Sequence, residues 1–297
     1  MFAMQVSSQP LEWASSAASK FGFPSLNPMQ KKAIAEGLLD GGNALVCAPT
    51  ASGKTLLALL AIAKHFEEKK NGGGGEKGKI VYVVPLRALA SEKYDEFSKT
   101  FEEKKVGIST GDYDSNPSAL YGYDLVVMTC EKLDSVMRHD REFAKTIGLA
   151  IVDEIHMLGD DHRGATLEIV LTKLLLAECR LLCLSATVPN SAEIGKWLCA
   201  KVIRSDYRPT RLELGICDRK NLFFEDERQQ PKKLEEKYYL ENLCRLALGA
   251  NDGQGQAIVF AESSSAADSA YLLVPTKTMA CPCPSFAPRA SRQRFSK

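Results

Sequence analysis

Eight residues, Ala48-Pro49-Thr50-Ala51-Ser52-Gly53-Lys54-Thr55, lie between an apolar run, NALVC at 43–47, and a stretch with apolar residues at Leu56, Leu59, Leu60 and Ala63. The run reads as a buried strand and the stretch as an amphipathic helix. A tight loop that opens a helix in this way aims backbone N–H groups at phosphates, so Pro49 to Gly53 form a phosphate cradle. Lys54 then reaches the β- and γ-phosphates and Thr55 binds Mg²⁺. Ala48 stands where the usual pattern has its first glycine, a mild change provided that its φ stays negative. A second apolar run ends in Asp153-Glu154-Ile155-His156, which puts two carboxylates at the carboxyl edge of a sheet. Asp153 suits Mg²⁺ held partly through water, and Glu154 suits the base that takes a proton from the water attacking the γ-phosphate. Together the two segments predict a site for a nucleoside triphosphate with Mg²⁺.

The elements that must position these residues alternate along the chain. Strands are expected at 43–47, 80–84, 106–109, 124–128, 148–152 and 180–184, and helices near 28–39, 54–68, 86–100, 131–147, 166–178 and 191–199. Apolar strands separated by helices predict an α/β fold, a doubly wound parallel sheet buried on both faces. Asn71 to Gly75, with four consecutive glycines, reads as a flexible loop tip. After Tyr207-Arg208-Pro209 the pattern restarts: RLELGIC and NLFFED suggest a hairpin, KKLEEKYYLENLCRLAL a helix, and QAIVF at 256–260 a buried strand. Domains are therefore expected at 1–205, at 206–274 as the start of a second α/β lobe, and at 275–297 as a disordered tail with four prolines and no apolar periodicity.

With 297 residues, 45% of them hydrophobic and 25% charged, the chain has the composition of a globular protein of about two domains. It contains no run of 18 apolar residues, which argues against a membrane span. The net charge of +1 gives no strongly basic coat, and the five cations after Ser269 leave 33 basic residues against 37 acidic ones before it. Any nucleic-acid groove in the body must be local. Nine cysteines without C-x₂₋₄-C spacing suggest reduced thiols inside a cell, and the first nine residues lack the form of a secretory signal. His65, His139 and His162 read as structural rather than metal ligands, and Tyr121 and Tyr123 as packing residues rather than base-stacking ones.

Several further segments match in order. Gln30 within Asn27-Pro28-Met29-Gln30, Asp153 to His156 and Ser185-Ala186-Thr187 together resemble the superfamily 2 helicases. Val84 to Tyr94 (VPLRALASEKY), Thr110 to Ser115 (TGDYDS) and Thr129 to Ser135 (TCEKLDS) are similar to the DNA-repair helicases related to archaeal fork-remodelling helicases and to the helicase portion of DNA polymerase theta. Leu158, Gly159, Asp160, Arg163, Gly164, Trp197-Leu198 and Arg208-Pro209 extend the match to roughly residues 20–215. The resemblance implies a RecA-like P-loop lobe, ATP as the nucleotide with Gln30 on its adenine, and Mg²⁺. It also implies single-stranded or forked DNA as partner, with Arg87, Gly111, Thr129 and Lys132 lining the strand-binding face. Ser185 and Thr187, with His156 as bridge, would link the nucleotide to that face. Residence would be nuclear in a eukaryote and cytoplasmic in an archaeon.

The sequence departs from this family after Phe260. The Gln-x-x-Gly-Arg-x-Gly-Arg segment that carries the family's arginine finger is absent, and Glu262 to Ala267 (ESSSAA) stands where an Arg-bearing helix is expected. The expectation is a truncated or frame-shifted second RecA-like lobe, with negligible multiple-turnover hydrolysis by this chain alone, because an arginine finger is worth about 10³–10⁵ in rate where one is used. The leading reading is an ATP-dependent DNA helicase, 3′ to 5′ by resemblance, of repair or replication-fork processing. A non-catalytic ATP- and nucleic-acid-binding fragment and an RNA helicase of the same branch stand beside it. A small phosphotransferase would need a lid with phosphate-binding arginines, and no Arg cluster follows Lys54 within the first lobe.

Overall fold

Short β-branched and leucine-rich runs form the strands because both of their faces can be buried. The computed structural model describes residues 8–72, 77–111, 117–209, 215–218, 221–224 and 232–233. Its first unit, Met1–Pro209, contains β1 (Ala44–Cys47), β2 (Lys79–Val84), β3 (Val106–Ser109), β4 (Leu125–Thr129), β5 (Ile147–Val152), β6 (Arg180–Ser185) and β7 (Lys201–Arg204). They form one sheet in the order β3-β4-β2-β5-β6-β1-β7, with every pairing parallel. Alternate residues point to opposite faces. Val46, Tyr82, Val127, Ile151 and Leu184 enter one core and Leu45, Val81, Met128, Val152 and Cys183 the other. This is the expected RecA-like α/β architecture.

Helices cover both faces. α1 (Ser8–Lys20), α2 (Pro28–Ala35), α3 (Lys54–Lys70) and α4 (Arg87–Thr100) pack on the first core, and α6 (Cys130–His139), α7 (Arg141–Thr146), α8 (Gly164–Leu176) and α9 (Ser191–Trp197) on the second. α5 (Pro117–Leu120) is a single turn. Because parallel strands all end at one edge, the loops after β1 to β6 gather there, and the candidate residues lie in or next to those loops.

Three differences from the sequence reading have local causes. α2 stops at Ala35 instead of running to 39: Gly37 adopts φ 86, its N–H donates to Ile34 O, and Leu38 N–H donates to Ala33 O, a Schellman closure. The helix expected over 131–147 is two, because Asp140 leaves helical geometry and its carboxylate accepts from Glu142 and Phe143 N–H, starting α7. α1 and the edge strand β7 were not anticipated; β7 pairs with β1 through Ala44 to Cys47.

The second unit, Thr210–Lys297, contains β8 (Gly215–Asp218) and β9 (Asn221–Phe224), the expected hairpin, joined by β10 (Lys232–Lys233) against β9. The helix expected from Lys232 is thus corrected at its start, where Lys232 and Lys233 pair with Leu222 and Asn221 of β9. The rest of that helix, the 256–260 strand, the 275–297 tail, the glycines at 73–75 and Asp112 to Ser115 lie outside the described residues.

Candidate nucleotide and strand-binding site

The loop after β1 is held by the neighbouring strand and by α2. Ala48 N–H still donates to Ser185 O (3.1 Å), continuing the β1–β6 pairing into the loop. Ala48 has no positive φ, so the missing glycine costs nothing; the left-handed residues are Ala51 (φ 62) and Gly53 (φ 87). Asn27 Nδ2 donates to Ser52 O (2.8 Å) and Gln30 Nε2 to Gly53 O (3.0 Å). The same two side chains close a reciprocal capping box, Gln30 N–H to Asn27 Oδ1 and Asn27 N–H to Gln30 Oε1, both at 2.9 Å. A Cβ on Gly53 would be strained by the φ of 87 and would have to displace Gln30 Nε2, 2.6 Å away, and Asn27 Nδ2, 3.1 Å away. With the Ser52 and Gly53 carbonyls tied to α2, the N–H groups of α3's first turn remain as anion donors.

Lys54 crosses this loop. Its Nζ donates to Ala48 O (2.8 Å) and Pro49 O (3.0 Å). Burial pushes the ammonium below its ordinary pKa, while the carboxylates of Glu154 and Asp153 oppose the shift. Those carboxylates emerge from β5, where Asp153 N–H donates to Val83 O (2.9 Å). Asp153 Oδ1 accepts from Glu154 N–H (2.9 Å) and Oδ2 from the hydroxyl of Tyr82 (2.8 Å). Glu154 stands at φ 54, a left-handed non-glycine backbone that turns the chain directly into the 3₁₀ turn Ile155–Gly159. A threonine hydroxyl and a carboxylate are hard oxygen donors, so Thr55 and Asp153 fit Mg²⁺ by chemistry. Thr55 Oγ1 accepts from the buried Lys93 (3.4 Å), whose closer partner is Glu96 (2.7 Å).

His156 joins two of the predicted motifs. Its Nδ1 lies 3.2 Å from Glu154 Oε2 and 3.4 Å from Ala186 N, so it either donates to the carboxylate or accepts from the Ser185-Ala186-Thr187 loop, according to tautomer. Ser185 is wholly buried, and Thr187 is exposed at the edge.

The residues expected to grip a strand lie on the other half of the edge. β3, β4 and β2 are adjacent, with Ser109 opposite Met128 and Thr129 opposite Val84, so Gly111, Thr129 and Arg87 follow three neighbouring strand ends. Lys132 Nζ donates to Gly111 O (2.7 Å), which brings two of the four together. Thr129 is buried and its hydroxyl accepts from Lys132 N–H (3.4 Å) as the cap of α6, and Arg87 is exposed in the first turn of α4. Tyr123 packs over Gly107 as expected, whereas Tyr121 is 43% exposed, with only its ring edge against Phe143 and its hydroxyl donating to Asp140.

Sequence reasoning assigned no role to Asn27, Tyr82 or Arg163. The Asn-Pro-x-Gln spacing of a capped helix start was the available signal for Asn27. Arg163 Nη1 donates to Pro85 O (2.8 Å) and its Nε lies 3.9 Å from Glu131, so the segment after Glu154 is tied to the loops after β2 and β4. Among the described residues no group of three His, Cys, Asp or Glu is placed to hold a metal, and no helix is long and apolar enough to cross a membrane.

A Gly-Lys-Thr loop that follows β1 and opens α3, with an Asp-Glu pair after β5 on an all-parallel sheet, defines a RecA-like P-loop protein. The sequence profile of the DEAD/DEAH box helicases matches residues 27–194, more than half of the chain, and the chain belongs to that family. Within superfamily 2 it resembles archaeal proteins named ATP-dependent DNA helicase Hel308. That of Methanococcus vannielii is 42% identical over 251 residues, 82% of this chain and 33% of the relative. Those of Pyrococcus horikoshii and Thermococcus kodakarensis are 45% and 40% identical over 70% and 86% of this chain, and 28% and 22% of their own lengths. The chain thus spans no more than about a third of the curated relatives it matches.

Proposed function

We propose that residues 1–205 are the ATP-binding lobe of an ATP-dependent DNA helicase of repair or fork processing, moving 3′ to 5′ on single-stranded or forked DNA. The observation that carries this reading is the division of one sheet edge: the loops after β1, β5 and β6 hold phosphate and carboxylate chemistry, and those after β3, β4 and β2 hold Gly111, Thr129, Lys132 and Arg87. The printed names of the relatives favour DNA over RNA. A DNA substrate supports residence beside the genome, nuclear in a eukaryote and cytoplasmic in an archaeon.

The chain's own residues divide the work as follows. Gln30 spends its amide oxygen on Asn27 and one N–H on Gly53, and keeps one N–H and one lone pair for adenine. Pro49 to Gly53 and Lys54 receive the phosphates, and Lys54 exchanges the Ala48 and Pro49 carbonyls for phosphate oxygens. Thr55 and Asp153 would hold Mg²⁺, which neutralises charge on the phosphates when bound. Glu154 takes the proton of the attacking water, His156 passes its position to Ser185 and Thr187, and the strand face contacts backbone phosphates without reading bases.

Calorimetry on the chain should detect Mg²⁺-dependent ATP binding that Lys54→Ala abolishes, and anisotropy should detect single-stranded DNA binding that weakens with added salt. Absence of nucleotide binding would refute the reading. Tighter binding to RNA than to DNA of the same sequence would move it to an RNA helicase.

A further inference from the structure

Tyr82 is the largest fully buried side chain among the described residues, and its ring lies edge-on to Phe97 with centroids 4.9 Å apart. A phenylalanine would fill nearly the same space without bringing a hydroxyl into an apolar core. Burying a hydroxyl costs free energy unless a partner takes its hydrogen. That partner is Asp153, whose Oδ2 accepts the bond at 2.8 Å. Since Oδ1 is held by Glu154 N–H and the Asp153 backbone by Val83 O, each carboxylate oxygen has one donor and the carboxylate plane is fixed. One lone-pair direction per oxygen remains for water or metal. The register explains how the ring reaches this position: Tyr82 sits opposite Ile151 and Val83 opposite Val152 on the neighbouring strand, so Asp153, two residues beyond Ile151, falls on Tyr82's face of the sheet.

We infer that Tyr82 is a positioning residue for the divalent-cation site: it acts through Asp153, setting the orientation in which that carboxylate meets Mg²⁺ or its bound water. The inference rests on the nucleotide-site reading above and adds to it a residue that touches neither nucleotide nor metal. Groups that orient a metal-binding carboxylate from behind are worth about 10–100-fold in metal affinity. No role for the phenol as a proton donor is required, because the bond is already made before any ligand arrives.

The test is Tyr82→Phe in the whole chain, which keeps the ring against Phe97 and removes one oxygen. Binding of a fluorescent non-hydrolysable ATP analogue is followed while Mg²⁺ is titrated, and again in EDTA. The Mg²⁺ midpoint is expected to rise about tenfold, with the EDTA affinity unchanged. An unchanged midpoint, or an equal loss of affinity with and without Mg²⁺, would overturn the inference and leave Tyr82 as a core residue. If binding by the unsubstituted chain ignores Mg²⁺ altogether, the nucleotide-site reading falls and this inference with it. Thermal unfolding without metal, run in parallel, shows that the variant is folded when the midpoint is read.

Discussion

Arg163 donates from Nη1 to the backbone carbonyl of Pro85 across 2.8 Å, tying the segment that follows Asp153-Glu154 to the loop that opens α4. Its backbone N–H is itself fixed by Asp160 Oδ1 (2.9 Å), a carboxylate whose pKa is lowered by the Arg163 and His162 N–H groups it accepts from. One guanidinium therefore links the half of the sheet edge proposed for nucleotide to the half proposed for the strand.

Arg163→Ala removes that link and leaves the Pro85 carbonyl without its donor. The guanidinium donor is charged, which makes such a bond worth about 1.5–3 kcal/mol when buried; the 39% exposure of this side chain screens it toward about 1 kcal/mol, and the 3.9 Å approach to the exposed Glu131 adds little. Urea unfolding should thus register a loss of about 1 kcal/mol. Since Arg87 starts the helix that follows Pro85, single-stranded DNA affinity should fall more than ATP affinity. Equal losses of both would show that the contact is only structural.

Gly53→Ala tests the cradle. The substitution meets two penalties, a left-handed φ of 87 and a Cβ 2.6 Å from Gln30 Nε2. Strain of this kind costs about 1–3 kcal/mol, and moving Gln30 also breaks its bond to Gly53 O. The variant should unfold at lower urea and bind ATP weakly. Adding Gln30→Ala relieves the clash but not the φ strain, so the double variant should be more stable than the sum of the two single losses predicts. Strict additivity would contradict the geometry.

Lys54 gives a pH dependence whose sign follows from its environment. Burial lowers its folded pKa below the unfolded value of 10.5. Between the two values the unfolded chain binds more protons, so the group's penalty on folding is full below the folded pKa and is relieved as pH rises through it. Nucleotide binding runs the opposite way, because phosphates favour the ammonium. ATP affinity should fall as pH rises through the lowered pKa, before the ordinary lysine range is reached, with proton uptake on binding. Calorimetry in buffers of different ionisation enthalpy measures that uptake, which Lys54→Ala should eliminate.

Most of the sheet, and the strand ends at which the candidate residues sit, were legible in the sequence for a physical reason: parallel strands buried on both faces need unbroken apolar runs, and the Gly-Lys-Thr and Asp-Glu segments stand directly after two of those runs. What escaped was decided by contacts distant in sequence or by single caps. β7 is a four-residue edge strand with one buried residue, Ile203, so no apolar run marks it. The break at Asp140 depends on one carboxylate choosing two N–H groups, within a stretch whose periodicity continues through it. Tyr82 and Arg163 were invisible as site residues because their partners, Asp153 and Pro85, lie 71 and 78 positions away. A motif shows which group does chemistry; only the register shows what holds it.

Ser185 carries the last prediction. Its side chain is wholly buried, and among the described residues its Oγ has no hydrogen-bond partner. A buried hydroxyl without a partner costs about 1–3 kcal/mol, so the resting structure is less stable for having it. Ser185→Ala should therefore be neutral or stabilising in urea unfolding, unlike Thr129→Ala, which removes the hydroxyl that caps α6 and should cost about 1 kcal/mol. If Ser185 finds its partner only when nucleotide and strand are both bound, the cost of the hydroxyl is recovered in that state alone. The stable alanine variant should then bind ATP normally and single-stranded DNA normally, yet lose the change in DNA affinity that nucleotide produces. The comparison needs four affinities, DNA with and without an ATP analogue for each protein. Coupling retained in full by Ser185→Ala would remove Ser185 from the link between the two halves of the edge and leave Thr187 and His156 to carry it.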